Sequence, residues 1–196
     1  MNIPQQWGFC MAGNEEAFCR MLELARQAVK PGELFFYYEI GIGRADTMIA
    51  VDTYTCEWPR MIVGVDIPGW QPPADKTPPG NVLTIGSEEF LSASDTPRAH
   101  FILIDACHGS PCVKREFTHA EQKIHPGGII AFHDADPNCQ GRHFQDHCGM
   151  GIDVRAALEE LGLLNDTRLG WRKVEETWGD QYRGGHGMVF VQRLSA

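Results

Sequence analysis

The sequence predicts an α/β fold built on one doubly wound sheet, and three observations lead to this prediction. Short apolar runs rich in β-branched and aromatic residues alternate with helix-like stretches along the chain, which is typical of a parallel sheet covered by helices on both faces. Two strand-like runs near the end have no helix between them, which predicts an antiparallel C-terminal edge strand. No internal repeat or linker divides the 196 residues. We therefore expect a single Rossmann-like domain with an N-terminal helical segment, 1–33, and a core, 34–196.

The elements of the first half follow from capping residues and apolar runs. Asn14 before Glu15 and Glu16 is typical of a capped helix start, and the helix is expected to end at Pro31-Gly32. The following elements are a strand over 34–40, a helix over 45–56, strands over 61–66 and 81–85, and a short helix from Ser87. Five of the twelve prolines lie between residues 67 and 80, which predicts a stiff surface loop.

The second half repeats this alternation. Its elements are a strand over 100–105, a helix over 111–125, a strand over 128–133, a loop over 135–150, a helix from Asp153 to about 162, and strands over 167–174 and 187–193. In sheets of this kind, ligands bind beyond the carboxyl ends of the strands. We therefore expect the functional residues at the strand ends.

Composition and charge exclude several functional classes. The 17 basic and 26 acidic residues give a net charge of −9, which argues against a surface that neutralises nucleic-acid phosphates or anionic lipids. No apolar run approaches the roughly 18 residues of a membrane span, and no signal peptide is recognisable. The seven cysteines include no C-x-x-C pair and are typical of reduced thiols. We expect a cytoplasmic protein without nucleic-acid or membrane partners; its oligomeric state stays open, a homo-oligomer included.

The first two strand ends carry the residues of a cofactor site. Gly41 and Gly43, after Glu39, allow a sharp turn and close approach to a ligand, and Asp66 stands where a carboxylate can accept both hydroxyls of a ribose. Each feature alone also fits an ordinary turn or helix cap. A dinucleotide motif usually has a third glycine, but Asp46 occupies that position, where a carboxylate would repel a pyrophosphate. The pattern favours S-adenosylmethionine over NAD, and an NAD-linked oxidoreductase is the alternative.

The next two strand ends carry titratable side chains. Adjacent parallel strands lie about 4.8 Å apart, so Asp105 and the pair His133-Asp134 can converge on one site. Two carboxylates and an imidazole suit a divalent metal with open positions. His108, with an ordinary pKa near 6.5, can act as a general base. The alternatives are a half-buried structural role for His133 and a turn or cap role for Asp134.

The loop that follows contains a second group of metal-binding residue types. Its members are Cys139, His143, His147 and Cys148. A zinc site here is a minor alternative, because no standard zinc spacing matches.

Four segments in this order resemble the class I S-adenosylmethionine-dependent methyltransferases. They are Tyr38-Glu-Ile-Gly-Ile-Gly-Arg-Ala, Val63-Gly-Val-Asp66, Ile104-Asp-Ala-Cys-His108 and Pro126-Gly-Gly-Ile-Ile-Ala-Phe-His-Asp134. More narrowly, the chain is similar to the small-molecule and sugar O-methyltransferase group that includes macrocin O-methyltransferase. The resemblance covers roughly residues 34–194. The glycine motif is generic, whereas the Asp-x-x-His segment followed by Pro-Gly-Gly-to-Asp is considerably more specific.

The resemblance implies a role for each strand end. It places Glu39, Gly41 and Gly43 at the methionine end of the cofactor, Asp66 at the ribose, and Gly86, Ser87 and Glu88 at the adenine. It also implies a metal held by Asp105, His133 and Asp134, with His108 as the base. His133 departs from the family pattern, which has a carboxylate there, and shifts the expected metal from Mg²⁺ toward Mn²⁺ or a similar ion.

We therefore expect O-methylation of a small-molecule or sugar hydroxyl, with Asp105 and His108 as catalytic residues and a divalent metal assisting. A non-catalytic S-adenosylmethionine-binding protein is a further alternative.

Overall fold

The computed structural model describes residues 13–138, 152–178 and 187–195, in which seven strands and five helices alternate. The strands are β1 (Phe35–Ile40), β2 (Arg60–Asp66), β3 (Asn81–Thr84), β4 (Ala99–Ile104), β5 (Ile124–His133), β6 (Trp171–Thr177) and β7 (Met188–Arg193). The helices are α1 (Glu15–Arg26), α2 (Asp46–Tyr54), α3 (Ser87–Ser92), α4 (Ser110–Lys123) and α5 (Val154–Glu160). The cysteine- and histidine-rich group over 139–148 lies outside the described residues.

All seven strands form one sheet in the order β3-β2-β1-β4-β5-β7-β6. Strands β1 to β5 pair in parallel, and β7 runs antiparallel to both β5 and β6. The predicted doubly wound, mostly parallel sheet with an antiparallel C-terminal strand is confirmed; that strand, β7, lies one place in from the edge. The chain builds outward from β1 to β3 and then returns to place β4 on the other side of β1. The change of direction puts the expected ligand crevice at the carboxyl ends of β1 and β4.

The helices cover both faces of the sheet. Helices α1 and α2 pack on the face that includes Phe35 and Tyr37, and α3, α4 and α5 pack on the face that includes Ile40. The ring of Phe18 in α1 lies 5.0 Å from that of Phe101 in β4, measured between centroids. Helix α1 is therefore one of the core layers, and it buries an apolar stripe against the sheet. None of the described helices has the length and apolar character of a membrane-spanning segment.

Several predicted boundaries shift for identifiable reasons. Strand β5 begins at Ile124, because a register shift between its pairings with Ala99 and Phe101 accommodates the Pro126-Gly127 turn. Strand β6 begins at Trp171 instead of 167, because the backbone N–H groups of Thr167 and Arg168 donate to the carbonyl of Gly162 in the turn that follows α5. The proline-rich loop over 67–80 contains no helix or strand, as predicted.

The start of α1 differs from prediction in its chemistry. Asn14 occupies the N-cap position but makes no side-chain capping hydrogen bond. Its Oδ1 accepts a hydrogen bond from Thr177 Oγ1 at the end of β6. The side chain therefore bonds α1 to the sheet. A local sequence pattern does not indicate this partner, because Thr177 is far away in the chain.

Candidate active site

A cleft of about 410 Å³ opens at the carboxyl ends of β1, β2, β3 and β4. Its volume lies within the range of small-ligand sites, about 300–1,000 Å³. Six of the predicted site residues line it: Gly41, Gly43, Asp66, Ser87, Asp105 and His108. Trp70 and Glu116 line it as well, although the sequence did not single them out. Parallel strands that end at one edge of the sheet thus gather these residues from four separate segments.

The two glycines of the turn after β1 have different roles. Gly41 adopts a φ of +88°, and a Cβ atom there would lie 2.3 Å from the backbone oxygen of Asp105. Any larger residue would therefore push the turn away from the end of β4. Gly43 has a φ of +50°, and a Cβ there would meet no heavy atom within 4 Å. Gly41 permits close packing of two strand ends, and Gly43 leaves open space in the cleft wall.

Asp66 holds this glycine turn in place. Its Oδ2 accepts hydrogen bonds from the backbone N–H groups of Ile42, at 2.8 Å, and Gly43, at 3.1 Å. Its Oδ1 accepts one from Ile67 N at 2.7 Å. A carboxylate offers about four acceptor positions. Asp66 therefore keeps capacity for a ligand hydroxyl while it fixes the shape of the turn.

The proline-rich loop contacts the same turn. Lys76 forms an ion pair with Asp46 at the start of α2, and Trp70 Nε1 donates to the carbonyl of Gly43 at 3.0 Å. The predicted repulsion between Asp46 and a pyrophosphate requires an unpaired charge, and Lys76 largely neutralises that charge. Position 46 therefore does not discriminate between the two cofactors, and the choice rests on the remaining site.

Beside the glycine turn, two aspartates and two histidines form one contiguous cluster. His108 Nε2 lies 2.9 Å from Asp134 Oδ2 and 3.6 Å from Asp105 Oδ1. His133 Nδ1 lies 3.0 Å from Asp105 Oδ1 and 3.1 Å from Asp134 Oδ2. Asp105 and His108 line the cleft, whereas His133 and Asp134 are buried behind them. Asp134 has a φ of +58°, an uncommon conformation for a non-glycine residue at a site where the cluster fixes its side chain.

The carboxylates dominate the electrostatics of this cluster. Burial by itself would lower the pKa of His108, but Asp105 and Asp134 raise that pKa to about 10. The same two carboxylates outweigh burial at His133 and raise its pKa well above the usual value. Burial would raise the pKa of Asp105, but the two histidines outweigh burial and lower it. In the ligand-free cluster the histidines therefore tend to carry protons.

The cluster also supplies donors for a metal ion. Ligand atoms of Asp105, His108 and Asp134 all lie within 4.8 Å of one another, a mixed oxygen and nitrogen set that suits Mn²⁺ or a similar ion. The predicted ligand His133 instead contacts both carboxylates from the buried side. The geometry thus brings together all four predicted residues, and both histidines lie close to the carboxylates, so His133 as a metal ligand stays a prediction.

Glu39 lies behind the cleft wall and is 2% exposed. Tyr37 Oη donates to its Oε2 at 2.7 Å. Burial raises the pKa of Glu39 well above its usual value, and the nearby charges of Asp105 and Asp66 act in the same direction. This carboxyl therefore favours its neutral form beneath the glycine turn, and its predicted contact with the methionine end of a cofactor stays a prediction.

The segment predicted to border the adenine divides into three environments. Gly86 is the N-cap residue of α3, and Glu88 pairs with Arg115 at 2.6 Å on the surface. Ser87 faces the cleft, where its Oγ donates to Glu116 Oε1 at 2.8 Å. Glu116 could have been found in the sequence, because it interrupts the apolar stripe of α4. The other buried positions of that stripe are Val113, Phe117 and Ala120.

Comparisons with known proteins agree with this architecture. Residues 45–135 match the family model described as a methyltransferase domain. No curated protein sequence matches the chain.

Solved structures share the fold at low sequence identity. The O-methyltransferase TomG from Streptomyces achromogenes, in complex with SAM, superposes with a TM-score of 0.58 and 17% identity, covering 94% of this chain and 82% of that chain. A putative O-methyltransferase from Klebsiella pneumoniae gives 0.54 and 16%, covering 90% and 89%. The 1,6-didemethyltoxoflavin-N1-methyltransferase from Burkholderia thailandensis, with S-adenosylhomocysteine, gives 0.57 and 15%, covering 93% and 80%. The shared architecture is the class I methyltransferase fold.

Proposed function

We propose that this chain, a class I methyltransferase by its fold and by the domain it carries, uses S-adenosylmethionine to methylate a hydroxyl group of a small molecule or sugar. The observation that carries the proposal is the position of His108 in the cleft wall, 2.9 Å from Asp134 and beside the glycine turn. A hydroxyl group is a poor nucleophile until a base removes its proton. An imidazole oriented by a buried carboxylate is suited to that task.

The remaining residues would position the reactants. A sulfonium carries its own leaving group, so the enzyme chiefly aligns the acceptor oxygen with the methyl group. Gly43 leaves room for the donor, and Asp66 has acceptor capacity left for one ribose hydroxyl. The carboxylates of Asp66 and Asp105 on the cleft wall favour a cationic ligand over a pyrophosphate. This charge pattern supports S-adenosylmethionine over NAD.

The proton on His108 links cofactor binding to catalysis. A general base must be neutral before it accepts a proton, whereas the paired carboxylates raise the pKa of His108 to about 10 in the ligand-free site. A positive sulfonium beside the same carboxylates would lower that pKa, because like charges disfavour the imidazolium. Cofactor binding would therefore favour the neutral, base-competent imidazole.

A divalent metal would bind to Asp105 and Asp134. His108 groups with these carboxylates but cannot be a metal ligand and the base at once, so the base role leaves the two aspartates as ligands. A bound cation would orient the acceptor hydroxyl and lower its pKa. Asp134→Asn should then weaken Mn²⁺ binding in calorimetry. Equal Mn²⁺ affinity for the wild type and this variant would contradict the assignment.

Calorimetric titration tests the cofactor directly. The wild type should bind S-adenosylmethionine with micromolar affinity and NAD not at all, each titrated with and without Mg²⁺ or Mn²⁺. Asp66→Ala should weaken cofactor binding at least about tenfold, since it removes both a ligand contact and the support of the glycine turn. Preference for NAD, or unchanged affinity in the Asp66→Ala variant, would overturn these assignments. An acceptor screen with radiolabelled methyl donor then tests transfer itself.

A further inference from the structure

Strand β3 forms one edge of the sheet, and its outer backbone groups are unpaired. The strand pairs only with β2. Among the described residues, no backbone hydrogen bond outside that pairing involves residues 81–84. The outer N–H and C=O groups of β3 are therefore available to a further strand. Extended peptides bind other proteins at sheet edges of this kind, by adding one strand to the sheet.

The two edges of the sheet differ in charge. The other edge strand, β6, carries four charged side chains among its seven residues: Arg172, Lys173, Glu175 and Glu176. Strand β3 carries no charged side chain, and its Leu83 is 36% exposed. Charged side chains on an edge strand discourage other strands from adding to it. The sequence therefore protects the β6 edge in this way and leaves the β3 edge open.

An apolar groove of about 620 Å³ lies beside β3, on the face of the sheet that α3 covers. Its apolar lining comes from the three strands β1 to β3 and from α3, and includes Phe36, Tyr38, Met61, Val63, Leu83 and Phe90. Helix α3 has only six residues, and Phe36 and Met61 stay partly exposed next to it. In strand addition the main-chain hydrogen bonds supply affinity, and a pocket for alternate side chains supplies specificity. The open edge and the groove together provide both.

The charged side chains that line this groove are all negative. They are Glu89 of α3 and Asp95 of the loop that follows it, and the described lining includes no Lys, Arg or His. Both carboxylates are exposed, and neither has an ion-pair or hydrogen-bond partner among the described residues. A second copy of this chain would bring the same two carboxylates and a net charge of −9, which disfavours self-pairing at this edge. A basic segment has the complementary charge.

We propose that the edge of β3 and the groove beside it bind an extended, basic segment of a partner protein, which adds to the sheet as a further strand. An apolar side chain at the centre of this segment would fill the groove. Lys or Arg side chains two residues before and after it lie on the same face of a strand and would pair with Glu89 and Asp95. The inference does not depend on the proposed function, because none of these side chains is assigned to the cofactor or the acceptor.

An NMR titration of the isotope-labelled full chain tests the proposal. The probe is a synthetic peptide, Thr-Lys-Thr-Leu-Thr-Lys-Thr, blocked at both ends. It should give saturable shifts in residues 81–84 and in the groove, with a Kd of about 1 mM or tighter. The same peptide with glutamate in place of lysine should bind at least about tenfold more weakly.

Two N-methylated forms of the peptide separate strand addition from contact by side chains alone. One form is methylated at the threonines, and the other at the lysines and the leucine. Alternate N–H groups of a strand point to opposite edges, so one form loses its hydrogen bonds to β3 and the other keeps them. One methylated form should therefore lose binding, and the other should retain it.

A matched pair of variants locates the binding site. Leu83→Lys places a charge on the edge strand and should weaken binding of the lysine peptide at least about tenfold. Leu169→Lys makes the same substitution at a leucine that is 99% exposed in the loop before β6, and it should change the Kd by less than about twofold. If Leu83→Lys does not fold, as circular dichroism would reveal, the double variant Glu89→Gln, Asp95→Asn gives the same test. Without the two charges, binding should weaken at least about threefold.

Several results would overturn the proposal. They are the absence of saturable shifts, equal affinity for the glutamate peptide, and equal effects of the two methylated forms. Light scattering that shows a dimer, which Leu83→Lys converts to a monomer, would overturn it as well, because a second copy of the chain would then occupy the edge.

Discussion

The two ends of the sheet hold histidines in opposite electrostatic environments. At the carboxyl end, His108 and His133 face two aspartates, and the pKa of His108 is raised to about 10. At the amino end, His100 of β4 stacks on His125 at 4.3 Å, and burial lowers the pKa of His100 to about 4, with His125 acting in the same direction. Burial disfavours the imidazolium at both ends. The difference therefore comes from the two aspartates beside the histidines of the carboxyl end, whereas at the amino end Glu33 raises the pKa of His100 too little to outweigh burial.

Several polar side chains at the amino end bond to the backbone. His100 Nδ1 accepts a hydrogen bond from Phe36 N at 3.1 Å. An open groove of about 1070 Å³ also lies at this end, and two of its lining cations, Lys123 and Arg193, donate to backbone carbonyls. Two donors of the larger opening thus already stabilise the fold, whereas the titratable side chains Asp105 and His108 of the smaller cleft face each other. Chemical arrangement, and not volume, distinguishes the end that we propose to be functional.

The largest expected effect contrasts one histidine from each end. His108→Asn should lower kcat by about 10²- to 10⁴-fold, because it removes the proposed general base. Cofactor affinity should not fall, since the base acts on the acceptor and its removal takes a positive charge away from the sulfonium. His100→Asn should leave kcat unchanged, because its side chain lies at the opposite end of β4. Methyl transfer by His108→Asn above about a tenth of the wild-type rate would contradict the base role.

A second prediction concerns the response of stability to pH. The folded-state pKa of His100, about 4, lies below the unfolded value near 6.5, so the unfolded state binds more protons between these limits. His100 alone should therefore make the free energy of unfolding rise as the pH increases from about 4 to 6.5. The rise should be at most about 3 kcal/mol, and it is complete above pH 6.5. His100→Asn keeps an acceptor for Phe36 but cannot titrate, so its stability should depend less on pH in this window. Urea unfolding from pH 4.5 to 7 measures the difference.

His119→Asn, which removes a histidine from helix α4, is the control for this comparison. It should keep the wild-type slope of stability against pH. If the curves of stability against pH are parallel for the wild type and His100→Asn, titration of His100 does not cause the pH dependence in this window.

The smallest effects should come from two lysines that differ in their partners. Lys76 pairs with the charged Asp46 at the carboxyl end, whereas Lys123 Nζ donates to the neutral carbonyls of Ala93 and Thr96. Replacing either lysine with methionine keeps most of the aliphatic stem and should cost about 1 kcal/mol or less. The Lys76→Met cost should shrink as salt rises to about 1 M, because ions screen a charge pair. The Lys123→Met cost should persist. Equal salt dependence in the two variants would remove this distinction between the ends.

The sequence predicted the parts of the fold that depend on local pattern. Alternating apolar strands and amphipathic helices specify a parallel sheet, and strand ends at one edge bring Gly41, Asp66, Asp105 and His108 together whatever the loops do. The position of β7 inside the sheet depends on its pairing with β5, a segment that is distant in the chain. No local sequence signal indicates that pairing. For the same reason the sequence predicted which strand-end residues lie together better than it predicted their individual contacts.

The unpredicted contacts all involve partners far apart in the chain. Asn14 bonds to Thr177, and Asp46 pairs with Lys76 across the proline-rich loop. In each case the prediction used a local rule, a helix cap for Asn14 and an unpaired charge for Asp46. The fold instead supplies a distant partner, which the local rule does not include. Glu116 is different, because its place in an apolar stripe is visible in the amino-acid sequence and by itself indicates a buried carboxyl.

The position of β7 also affects how the protein can form during synthesis. The ribosome produces β5 and β6 before β7, yet β7 must lie between them and bond to both. Before β7 has paired, the outer edge of β5 has unpaired backbone groups and β6 lacks the strand that joins it to the sheet. Exposed strand edges of this kind promote association with other chains. A chain in which β7 has not yet paired therefore contains all the cleft-forming strands, while the sheet that supports them is still open on one side.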